Sequence, residues 1–145
     1  ALSDSRMAVL DALAETIMPR TDTPGARDVG VPARITALMK TWASAQTKLD
    51  LDRVLDEVDA AARSDGAKGL AELPAARQLE IVTAFDGAKM KDPGYLKLKN
   101  LILALYYMSE KGATQELRYE HVPGAWEPSI AVTSATRGWA VDVSP

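Results

Sequence analysis

The 145-residue chain is 47% hydrophobic and 26% charged, with a formal net charge of −3, which suits one globular domain able to bury roughly two thirds of its unfolded surface. It contains no cysteine, and this excludes disulfides, thiolate nucleophiles and Cys-based zinc or iron–sulfur sites. The acidic balance argues against nucleic acid as a partner, since phosphate affinity comes from clustered Lys and Arg, and no apolar stretch approaches the roughly 20 residues that span a bilayer.

Apolar residues recurring at three and four positions predict five helices. In the first, Met7, Leu10, Ala14, Ile17 and Met18 share a face, Ser3 or Ser5 offers an N-cap, and Pro19 forbids continuation. Residues 19–30, with Pro24-Gly25 and many small polar side chains, read as a structured turn. A second helix starts near Val31-Pro32, with Ile35, Leu38, Met39 and Trp42 as its buried stripe. Thr47 to Asp50 turns the chain into a third helix carrying Leu51, Val54, Leu55, Val58 and Ala62, which Gly66 and Gly69 close. A fourth begins around Pro74, places Leu79, Val82 and Phe85 on one face and ends at Asp86-Gly87. The fifth begins near Pro93-Gly94; Tyr95, Leu98, Leu101, Ile102, Leu105 and Met108 give it a stripe broad enough for the centre of a bundle, and Gly112 ends it. Only Ile130 to Val132 hints at strand alternation. The fold class is therefore all-α: a helical bundle of five helices over 1–112 and an irregular C-terminal tail over 113–145, one domain overall.

That tail has no clear period yet carries Trp126, Ile130, Val132, Trp139 and Val141. A segment this long without secondary structure is usually functional or disordered, and disorder goes with few aromatics. Two readings stay open: the tail lies along another protein, or it wraps back over its own bundle.

Catalytic chemistry finds little support. The single histidine, His121, rules out a multi-histidine metal site. Glu116 and Glu120 could join it around a cation only if that segment were helical, and Pro123-Gly124 follows at once. There is no Gly-x-Ser-x-Gly elbow, no Gly-x-Gly-x-x-Gly and no Walker loop. Thr21 or Asp22 reads as folding the turn by side-chain to backbone bonds, with Arg20 paired locally. Tyr106 and Tyr107 read as packing residues with satisfied hydroxyls.

Two segments carry a resemblance. Glu15-Thr16-Ile17-Met18-Pro19-Arg20-Thr21-Asp22-Thr23-Pro24-Gly25-Ala26, followed by Gly30-Val31-Pro32, is similar to the opening of the gluconate 2-dehydrogenase subunit 3 family. Tyr106-Tyr107-Met108-Ser109-Glu110-Lys111-Gly112-Ala113-Thr114-Gln115-Glu116-Leu117-Arg118-Tyr119, with His121-Val122-Pro123-Gly124 and Trp126-Glu127-Pro128, resembles that family's closing pattern.

The resemblance implies a non-catalytic small subunit of a periplasmic FAD-dependent sugar or sugar-acid dehydrogenase. It would bind no cofactor itself and would stabilise a large subunit of the glucose–methanol–choline oxidoreductase type, which carries FAD. A cytochrome c component often completes such complexes. The family also implies help with maturation and export behind a twin-arginine leader, although no Arg-Arg leader is visible in this sequence. No catalytic residue carries over. Pro19, Arg20, Asp22, Pro24 and Gly25 are the expected structural turn, and Tyr119, His121, Pro123, Gly124, Trp126 and Trp139 are the expected partner contacts. Two alternatives are a stand-alone sugar-binding module with Trp42, Trp126 and Trp139 as stacking platforms, and a metalloenzyme or hydrolase built on Glu116, Glu120 and His121.

Overall fold

Ser3 opens the first helix, its hydroxyl accepting from the Arg6 amide at 3.3 Å and so satisfying one amide that the helix leaves unpaired. A computed structural model of the chain describes residues 2–140, apart from Asp65, Ala67, Pro123, Trp126 and Glu127. Five α-helices follow one another: α1 (Asp4–Ile17), α2 (Val31–Thr41), α3 (Ala45–Ser64), α4 (Ala75–Lys89) and α5 (Pro93–Tyr107). A 3-10 turn, Leu70–Glu72, precedes α4, and a π-helical turn, Gly112–Glu116, follows α5. Among the described residues there is no strand, only an isolated bridge between Arg118 and Trp139.

The core is the shared interior of these helices. Leu10, Leu13, Ile35, Val54, Val58, Leu98 and Ile102 are fully buried, and each such side chain contributes about 1.5–3 kcal/mol relative to an exposed one. α1 and α3 are the hubs. α1 packs on α2, α3, α4 and the 3-10 turn, and α3 packs on α1, α4, α5 and the same turn. α5 leans mainly on α2 and α3. Its broad stripe therefore does not make it the centre of the bundle. Capping also locates its start: Asp92 accepts from the Tyr95 amide at 2.9 Å and pairs with Arg53 of α3 at 2.9 Å. Tyr95 is buried edge-on to Phe85 of α4, with ring centroids 5.3 Å apart, and its hydroxyl donates to Asp86 at 2.7 Å.

Several sequence expectations differ from what the fold adopts. α3 starts at Ala45, because Ser44 caps it through the Thr47 amide at 3.1 Å. α4 runs through Gly87 to Lys89; a glycine inside a helix costs only about 1 kcal/mol, which packing readily offsets. Trp42, Leu79 and Met108 are solvent-exposed, at 79%, 56% and 66% of their surface. Each lies on a predicted stripe where no neighbouring element reaches it. Ile130 to Val132 forms no strand and is exposed.

Candidate functional site

The break between α1 and α2 is held by carboxylates that serve backbone amides. Glu15, in the last turn of α1, accepts from the Arg20 amide at 3.2 Å and from the Arg27 amide at 2.9 Å. Asp28 accepts from the Gly25 amide at 2.9 Å and from Arg20 Nε at 2.9 Å. The Gly25 amide and then the Arg20 guanidinium hold the Asp28 carboxyl below its ordinary value. Ala26 donates back to the Met18 carbonyl at 2.8 Å, and Arg27 reaches Asp11 of α1 at 2.5 Å. Gly25 has no room for a side chain, since a Cβ there would lie 2.5 Å from the Glu15 carboxylate and 2.6 Å from the Arg20 amide. Gly30, at φ 73°, makes the left-handed step into α2 that glycine takes without steric cost. Pro19 and Asp22 stay on the surface, Asp22 accepting from the Thr21 hydroxyl at 3.1 Å.

The second segment closes onto this loop. Tyr106 is 1% exposed, and its hydroxyl donates to the Pro24 carbonyl at 2.7 Å. Burial raises its pKa, which keeps the phenol protonated and donating. Ser109 donates to the Tyr106 carbonyl at 2.6 Å and accepts from the Gly112 amide at 3.0 Å, turning the chain sharply out of α5. Gly112 lies so close to the Tyr106 carbonyl that a Cβ there would collide with it. The π-helical turn then delivers Glu116 to the Thr23 hydroxyl, which donates to it. The two sequence segments, at opposite ends of the bundle's sequence, are thus one hydrogen-bonded seam.

Beyond the seam the chain forms a lobe clipped by its own backbone. The Arg118 amide donates to the Gly138 carbonyl and the Ala140 amide to the Arg118 carbonyl, both at 2.8 Å. The Arg118 guanidinium lies 4.2 Å from the centre of the Trp139 ring, a cation–π stack. Tyr119 and His121 are exposed and touch through the Tyr119 hydroxyl and His121 Nδ1 at 3.3 Å. Gly124 is exposed with open space around it. Pro123 and Trp126, the remaining expected contacts, lie outside the described residues. A cleft of about 430 Å³ runs through the lobe between residues 114–119 and 130–139.

As a catalytic arrangement this region offers little. Glu116 is engaged by Thr23, Glu120 faces Arg118 at 3.6 Å, and His121 touches Tyr119. Among the described residues no group of three or more His, Asp or Glu is placed to hold a metal ion. Trp139 lines the cleft beside Arg118, whereas Trp42, exposed at the end of α2, does not line it; Trp126 lies outside the described residues. Sequence reading missed Glu15, Asp28, Thr23 and Ser109 as organisers of the seam. The one available signal was carboxylates flanking a segment rich in unpaired amides.

The family model of gluconate 2-dehydrogenase subunit 3 matches residues 4–124. The match takes in both segments of the seam and ends inside the clipped lobe. No curated protein and no solved structure matches the chain.

Proposed function

The chain belongs to the gluconate 2-dehydrogenase subunit 3 family, and from that premise we propose that it is a non-catalytic accessory subunit of a dehydrogenase complex. Its partner in this reading is a large FAD-dependent subunit of the glucose–methanol–choline oxidoreductase type, which oxidises a sugar or sugar acid and can pass electrons to a cytochrome c. The small subunit stabilises that flavoprotein and assists its maturation and export to the periplasm. FAD belongs to the partner, and this chain holds no cofactor. Residues 1–112 form the bundle, and residues beyond 112 meet the partner.

One observation carries this reading. The two family segments join into a buried, hydrogen-bonded seam whose outer end launches an exposed lobe containing Tyr119, Ile130, Val132 and Trp139. Interfaces favour exposed aromatics of this kind, and clustered exposed apolar groups mark interaction surfaces. Trp126 extends the same contact set in sequence, and its truncation to alanine weakens partner association by about 2 kcal/mol or more if it acts as an anchor.

Co-purification from the native host tests the proposal. Tagged protein should bring down a large subunit with flavin absorbance, and the isolated chain should oxidise no sugar or sugar acid with an artificial electron acceptor. A tagged chain that never retains a flavoprotein, or that turns over substrate unaided, overturns the reading.

A further inference from the structure

Resting on the accessory-subunit reading, we propose that the cleft in the clipped lobe seats an acidic side chain of the flavoprotein partner, with Arg137 and Arg118 as its cationic walls. Both arginines line the cleft together with Leu117, Tyr119, Ile130 and Trp139. In a chain of formal net charge −3 this is a local concentration of positive charge. Four of the bundle's arginines, Arg6, Arg20, Arg27 and Arg53, form ion pairs at 3.0 Å or less. Arg137 forms no ion pair among the described residues. Arg118 meets Glu120 only at 3.6 Å, longer than a charge-assisted hydrogen bond.

The geometry suits a carboxylate. The Arg118 guanidinium sits over the Trp139 ring, and the in-plane N–H groups of a guanidinium are donors that match a planar carboxylate. Arg137 is set by the turn just before it, where the Thr133 amide donates to the Thr136 hydroxyl at 2.8 Å and the Thr136 amide to the Thr133 carbonyl at 3.0 Å. The cleft is also larger than one carboxylate needs, and exposed Tyr119 and Ile130 line it. A free small acid would leave that rim wet. An Asp or Glu flanked by apolar residues on a protein surface covers it, and Arg, Trp and Tyr are the residue types on which interface energy concentrates.

The test compares full-length wild type, Arg137→Glu, Arg137→Lys and Arg34→Glu for retention of the host flavoprotein at low and high salt. Arg34 is exposed on α2, so its reversal makes the same change in net charge away from the cleft. Arg137→Glu should weaken association by roughly tenfold or more at low salt, with like charges now opposed. Arg34→Glu should match wild type, and Arg137→Lys should retain most of the binding. Wild-type capture with undiminished capture by Arg137→Glu overturns the proposal and leaves the accessory reading standing. Failure of wild type to retain any flavoprotein overturns both. Loss of a homodimer in Arg137→Glu, with flavoprotein capture intact, would assign the cleft to a second copy of this chain and also overturn the proposal. Competition by free acetate that removes the Arg137 dependence without releasing the flavoprotein would do the same in favour of a small anion.

Discussion

The Tyr106 hydroxyl donates to the Pro24 carbonyl at 2.7 Å, joining residues 82 positions apart. Together with the Thr23–Glu116 contact it makes the turn after α1 and the exit from α5 a single structural unit. Removing only the hydroxyl, as in Tyr106→Phe, leaves ring packing intact and strips the half-buried Pro24 carbonyl of this donor. Stability should fall by about 1–2 kcal/mol in urea unfolding followed by circular dichroism. An unchanged midpoint would show that this hydrogen bond does not tie the two segments together.

Gly112→Ala should be more damaging than alanine at an exposed, open glycine such as Gly66. The added methyl collides with the Tyr106 carbonyl, which α5 holds in place, whereas nothing lies near Gly66. The cost is on the order of 2–3 kcal/mol, as for overpacked sites that must shift backbone. Equal melting temperatures for the two variants would refute this account of the exit from α5.

Acid should weaken the fold in a defined window. The Arg53 guanidinium and then the Tyr95 amide lower the Asp92 carboxyl from 3.8 to about 2; Asp28, Asp50, Asp56, Glu57 and Asp86 are lowered as well. Because the folded values lie below the unfolded ones, this stabilisation is complete above the ordinary carboxylate range. It is lost as pH falls through the folded values. Asp92→Asn keeps a capping side chain on α5 but loses the charge pair with Arg53. Its stability should change less than that of wild type between pH 3.8 and about 2. Parallel pH profiles for the two proteins would exclude Asp92 as a contributor. Added salt should shrink the difference, since the pair is near the surface.

Trp139→Ala should loosen the lobe without touching the bundle. The stack on Arg118 is worth about 0.5–1 kcal/mol at an exposed site, and two backbone hydrogen bonds close the clip. Hydrogen exchange at the Arg118 and Ala140 amides should accelerate severalfold, while α1 and α3 amides keep wild-type protection. Slowed or unchanged exchange at Arg118 would remove the ring from the clip.

Much of the bundle was legible because helices announce themselves locally. Ser3, Pro32, Pro93 and Gly30 mark ends through capping or fixed φ, and Val54, Leu55, Val58 and Ala62 recur at helical spacing on the buried face of α3. The same periodicity misled at stripe ends. Trp42 and Met108 sit just past the ends of α2 and α5, and Leu79 is exposed on α4; spacing says nothing about where a helix stops or whether a neighbour extends far enough to cover a side chain. Gly87 failed as a stop because a single glycine is a small penalty against a packed helix. In the seam, Pro24 and Gly25 were visible as turn chemistry. Glu15 and Asp28 were not, because carboxylates satisfying amides 5 and 12 positions ahead or 3 behind follow no repeating pattern.

Composition and spacing by themselves determined the all-α class, the order of the five helices and the absence of thiol chemistry, while the two family segments were visible in the sequence only through their resemblance to that family. Only the tertiary structure decided that those segments touch, that α1 and α3 rather than α5 carry the packing, and that Arg118, Arg137 and Trp139 share one cleft. The physical reason is range. Backbone preferences and helical phase act over a few residues and leave their mark in neighbouring letters. Bonds such as Tyr106 to Pro24 or Thr23 to Glu116 exist only once the helices between them have packed and set the distance.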